Sequence, residues 1–142
     1  MKALFLAISI ACAIIGAAQA AAPANPPAEL AVLRQALAKA IAAHDMKATT
    51  ALIAFPLAVD MYQAPPQMTL KQVTADKRKL TVLFGDGDKD LLKCVATAPV
   101  TVQGDKTQFG FGAWVADCNG NEFYFAQRGG KWLFTAYQNI NE

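Results

Sequence analysis

From Leu30 the apolar residues recur at helical spacing, at Leu30, Leu33, Leu37 and Ile41. This predicts a helix starting around Pro27 and Glu29, with one buried stripe and with Arg34 and Lys39 in solvent. Proline and an acidic residue are both tolerated in a first helical turn. His44-Asp45 ends the helix, and Asp45 is placed to cap a second from Met46 to about Ala54 that buries Leu52, Ile53 and Phe55. Pro56 disfavours helical backbone at Phe55. Residues 56–62 therefore read as a short strand, with Leu57, Val59 and Met61 on one face and Asp60 and Tyr62 on the other. Pro65-Pro66 closes it as a loop, and 68–73 reads as another short strand. Thr74 is then placed to cap a charged helix over 75–84 with Leu80, Leu83 and Phe84 inward.

From Pro99 the period becomes alternating, punctuated by Gly104-Asp105, Asn119-Gly120 and Gly129-Gly130. Asn-Gly suits the tight hairpin turn, which needs positive φ at both positions. The pattern predicts a four-stranded antiparallel meander over 99–103, 107–118, 121–128 and 131–138. With two-residue turns, position 118 faces 121 and 128 faces 131. One face then collects Trp114, Ala116, Cys118, Phe123, Phe125, Trp132 and Phe134. The other collects Val100, Val102, Phe109, Phe111, Val115, Tyr124, Leu133 and Tyr137, among Asp117, Glu122, Arg128 and Lys131. Both faces are apolar, unlike a sheet with one wet side. Helices can cover one, and a second copy of the chain is the simplest cover for the other.

The first twenty residues change the picture of where this domain works. Lys2, an apolar run from Ala3 to Ile15 and a small-x-small close at Ala18-Gln19-Ala20 form the pattern of a secretory signal peptide. Lipidation at Cys12 would need a large aliphatic residue where Ser9 stands. The run is short for a membrane-spanning helix, and no later segment is longer. Of 142 residues, 1–20 are thus a leader, 21–27 a disordered lead-in and 28–142 one domain, expected in the periplasm or secreted and not in the membrane after cleavage. The chain carries 13 basic and 11 acidic residues, and loss of Lys2 leaves it one charge above neutral, which offers no footprint for nucleic acid. Cys94 and Cys118 remain, an even count that reads as one disulfide in an oxidising compartment.

Asp86, Asp88 and Asp90 resemble the opening of a calcium loop. Counting from Asp86, however, Leu91 stands where such a loop needs glycine and Thr97 where it needs a bidentate glutamate. The better reading is that Gly85 and Gly87 end one helix and Asp86 or Asp88 caps the next, whose buried side is Leu91, Leu92 and Val95. No metal is expected. His44 is the only histidine, too few for zinc, and suits the negative end of a helix. Gly110 and Gly112 share a face with Trp114, which either bends the sheet or leaves an apolar hollow bordered by Phe123, Phe125 and Trp132.

Helices followed by a curved antiparallel sheet, with a last hairpin through Gly130-Lys131-Trp132-Leu133, resemble the nuclear transport factor 2-like superfamily over about residues 28–139. The resemblance implies an α+β fold, N-terminal helices packed on a cone-like meander sheet with one or two short extra strands, and dimers through the outer sheet face. The cystatin-like arrangement, one helix on an antiparallel sheet, is the alternative, and the segment from Ala64 to Thr97 is longer and more helical than a compact member needs. The family also contains enzymes like ketosteroid isomerase, which place a carboxylate base and hydroxyl donors inside the cone. By that resemblance the candidates are Asp60, Tyr62, Asp117 and Tyr124, none within a matching motif; a solvated strand end explains Asp117, a solvated face Asp60 and Tyr62, and a dimer face Tyr124.

The sequence thus points to an exported, non-enzymatic binding or interaction module without a cofactor. Its expected partners are a second copy through a sheet face, a small apolar ligand or a periplasmic protein. A cofactor-free isomerase or lyase, and a periplasmic inhibitor or immunity protein, are the alternatives.

Overall fold

The computed structural model describes residues 25–103, 109 and 112–141. The leader with Cys12, the start of the lead-in, the Gly104-Asp105 turn, Gly110 and Phe111 lie outside them.

Helix α1 (Ala28–Ala42) buries Leu30, Leu33, Leu37 and Ile41 as its spacing predicts. Arg34 corrects that prediction: it is buried, not solvated. The helix α2 (Met46–Ala51) starts as expected, with the Asp45 carboxylate accepting the Ala48 N–H, but it stops short of Ala54. Ile53 already belongs to strand β1 (Ile53–Asp60), which buries Ile53, Leu57 and Val59. The second short strand shrinks to β2 (Gln67–Met68), because Thr69 opens helix α3 (Leu70–Ala75). Its hydroxyl accepts from Gln72 N while the Gln72 side chain accepts from Thr69 N, a reciprocal cap. Thr74 therefore lies inside α3 and caps nothing, its hydroxyl donating to Leu70 O. The charged segment becomes α4 (Arg78–Thr81) and a 3-10 turn over Val82–Phe84. Gly85 closes that turn in left-handed backbone, and Asp88 caps α5 (Lys89–Thr97) by accepting from Leu91 N at 2.7 Å.

The expected four-stranded antiparallel sheet is instead six-stranded and mixed, in the order β2-β1-β6-β5-β4-β3, and it is not closed. Strands β3 (Val100–Val102), β4 (Trp114–Cys118), β5 (Asn121–Arg128) and β6 (Lys131–Asn139) pair antiparallel in succession. Strand β1 then adds parallel to β6 and antiparallel to β2. Both edges are very short strands, which limits edge-to-edge pairing with other chains.

Cys118 faces Asn121 and Arg128 faces Lys131, as two-residue turns require. Asn119 and Gly120 both take positive φ, at 56° and 84°. Three expected face assignments need correction. Val100 and Val102 lie opposite Ala116 and Trp114 and so pack on the helix-covered core, because residues 103–113 form a connection longer than a two-residue turn. Tyr137 also turns to the core, because a bulge at Thr135 shifts the β6 register and sets Phe123 opposite Tyr137.

The main core lies between the helices and one sheet face, centred on Phe84, Phe123, Phe125 and Phe134. Helix α1 packs on α5 and touches β6. Cys94 on α5 is bonded to Cys118 on β4, with the Cα atoms 5.9 Å apart. Arg34 completes this corner: Nε donates to Val95 O at 2.7 Å, and Nη2 donates to Ala98 O at 2.7 Å and Cys94 O at 3.3 Å. The guanidinium thus caps the carbonyl end of α5 and lies over the Phe125 ring. Among the described residues no helix is long and apolar enough to cross a membrane.

Candidate functional site

The sheet face away from the helices holds a second apolar cluster of Ala58, Phe109, Val115, Tyr124, Ala126 and Ala136. Phe109, in the β3–β4 connection, lies on it with its ring 4.6 Å from that of Tyr124. The β1–β6 pairing is broken on this face. Ile53 pairs with Phe134 and Ala58 with Ala136, so β1 spends five residues where β6 spends two. The excess chain around Pro56, beside the bulge at Thr135, opens a cleft of about 560 Å³ between Phe55, Pro56, Leu133 and Arg128. A second hollow of about 310 Å³, reaching Asp60 and Gln67, shares Ala58 and Phe109 with it.

The face is polarised along the strands. At one end Arg128 lies opposite Lys131. At the other, Asp117, Glu122, Gln138 and Asp60 form one row across β4, β5, β6 and β1, each the register partner of the next. The Tyr124 hydroxyl donates to Glu122 Oε2 and lies 3.2 Å from Gln138 Oε1, and the Gln138 amide donates to Asp60 Oδ2 at 3.1 Å. Burial, then the hydrogen bond and charge of Glu122, then the charge of Asp60 push the Tyr124 pKa well above the usual phenol range. The phenol is therefore a donor and not a base at neutral pH.

The structure thus brings Asp60, Asp117 and Tyr124 onto one face, outside the helix-covered core. Asp117 is exposed and its Oδ1 also accepts from Gly120 N at 2.8 Å, ordering the hairpin turn. Tyr62 follows the end of β1 and is 74% exposed. Of the expected pocket residues, Trp114, Phe123 and Phe125 are buried in the main core and Trp132 packs against it. Gly112 lies exposed in a turn, with open space where a side chain would project. His44 follows α1 in left-handed backbone, its N–H donating to Ile41 O. Among the described residues no three His, Cys, Asp or Glu side chains are grouped to hold a metal ion.

Sequence reasoning left Gln138 and Ala58 out of the site and gave Glu122 and Arg128 no role. The hairpin arithmetic carried a signal for one of these groupings, since it sets Asp117 opposite Glu122. The parallel neighbour β1, which delivers Asp60 and Ala58, left no such signal. No family model, curated protein or solved structure matches this chain.

Proposed function

We propose that the protein is an exported, non-enzymatic binding module that works as a homodimer through the outer face of its sheet. The observation that carries this reading is the polarity of that face: an apolar centre with Arg128 and Lys131 at one end and Asp117, Glu122 and Asp60 at the other. Asp117 directly opposite Glu122 is an unfavourable like-charge pair in an isolated sheet. A two-fold axis through the face brings the cationic end of each copy onto the acidic row of the other and relieves it, as an isologous interface requires. Tyr62 and Ile140 are exposed just past the ends of neighbouring strands, beyond the acidic row. Element order and the expected outer-face dimer make membership of the nuclear transport factor 2-like superfamily part of the proposal. The engagement of Tyr124, Glu122 and Asp60 with one another weighs against an acid–base role.

Native mass spectrometry and sedimentation velocity on the chain purified without reductant test the proposal. The expected result is a dimer that the double variant Arg128→Glu, Lys131→Glu converts to monomer, and that adding Asp60→Lys and Glu122→Lys restores. A wild-type monomer at micromolar concentration, or a dimer indifferent to both sets of changes, overturns it.

A further inference from the structure

At the far side of the helices, α1, α2, α4 and the 3-10 turn enclose a cavity of about 160 Å³. Ile41, Met46, Leu80 and Phe84 give it apolar walls, with His44 and Lys77 among its lining. Thr49, also on the wall, is buried and spends its hydroxyl proton on Asp45 O. Beyond Met46 and Lys77, which both spaces share, a second hollow of about 190 Å³ is lined by Lys47, Thr50, Val73 and Thr74. The two hydroxyls there donate to backbone carbonyls, to Met46 O and Leu70 O, which leaves the lysines as the donors facing the hollow. The acidic groups near these hollows are otherwise engaged, Asp86 accepting from the Thr81 hydroxyl on the inner wall. Asp45 accepts Ala48 N–H and Asp76 accepts Arg78 N–H, and among the described residues no carboxylate pairs with Lys47 or Lys77.

We propose that this end of the molecule is a binding site for a small amphiphilic carboxylate, its apolar group in the inner cavity and its anionic group between Lys77 and Lys47. Size and charge choose this class. An apolar cavity of about 150 Å³ takes a benzene-sized group, so a single ring or a short branched chain fills the inner space, whereas a long acyl chain does not. An apolar ligand without a charge gains nothing from the two exposed lysines at the mouth, and a bare anion leaves the apolar walls unfilled. A pocket with apolar walls and a few convergent polar groups is the usual form of a small-molecule site. The site is built from the helical layer and is separate from the outer sheet face, so the two are tested independently.

The test is NMR titration of the methyl-labelled chain with 3-phenylpropionate, with 3-phenylpropanamide as the neutral control of the same shape. The expected result is saturable shifts of the Ile41, Met46 and Leu80 methyl groups, with the acid binding about tenfold tighter than the amide, the size of one charge-assisted hydrogen bond. Lys77→Gln, at an exposed position, should reduce that preference, and Lys77→Gln with Lys47→Gln should abolish it, without weakening the amide. Absent shifts at millimolar acid, equal affinity for acid and amide, or unchanged discrimination in Lys77→Gln each overturn the proposal. So do shifts confined to Ala58 and Leu133, which assign the probe to the sheet cleft.

Discussion

Arg34 shows how much one side chain can organise. A charge in a core is costly unless its hydrogen bonds are made, and here three carbonyl oxygens at the end of α5 receive it. Burial lowers its pKa, yet a guanidinium remains charged at any pH the fold tolerates. Arg34→Ala strands those carbonyls and opens space beside Phe125, so urea unfolding should show a loss of about 3 kcal/mol. Arg34→Lys should recover less than half of it, because a compact ammonium lacks the spaced, planar Nε and Nη2 donors that reach Val95 O and Ala98 O. Tyr124 makes the complementary case. Its pKa is raised in the fold, so its contribution is present in full below the unfolded value near 10 and is lost as pH rises through the folded one. Tyr124→Phe removes the bond to Glu122 and should cost about 1 kcal/mol at neutral pH. It should also flatten the fall in urea midpoint between about pH 9 and about pH 12 that the wild type shows; an equally steep fall in the variant would contradict this assignment.

Among the elements, the disulfide and the caps divide the labour of holding α5. Asp88 fixes its first turn, Arg34 its last, and the Cys94–Cys118 bond ties its outer side to β4. With the two cysteines 24 positions apart, closing the loop is worth about 3.5 kcal/mol on the chain-entropy model. Cys94→Ser with Cys118→Ser should lower stability by about that amount in calorimetry or urea titration, and reductant should then change nothing further. These elements also mark how far the sequence could be read. Asp45, Asp88 and the Asn119-Gly120 turn were legible because a cap or a tight turn is decided within four residues. The capping box at Thr69 was equally local and was passed over for a strand. Arg34 was misjudged although it stands four residues after Leu30 and three before Leu37, on the buried stripe itself; its reason for being there, the end of α5, is sixty residues away. The bulge at Thr135 and the parallel seat of β1 depend on packing between distant segments, and neither has a periodic signature. For the same reason the acidic row was only half visible: Asp117 and Glu122 meet across a hairpin, whereas Asp60 arrives on β1.

At the scale of the whole molecule, the two layers present two different surfaces. The helical layer encloses small cavities with lysines at their mouths, while the outer sheet face has a small apolar centre, buried within the single chain, and is electrically polar from end to end. A module that associates through the second keeps the first open to solvent in both copies. The seat of β1 bears on how the chain reaches this form. Ile53 pairs with Phe134, and Asp60 with Gln138, so β1 has its long neighbour only in residues 131–139, far along the chain. Until residues 131–139 are available, β1 has β2 alone for company, a two-residue strand, and the apolar side chains of Ile53, Leu57 and Val59 have no sheet to join. Assembly of β1 into the sheet is therefore deferred until residues 131–139 have been made, and the stretch before them stays threadable until then.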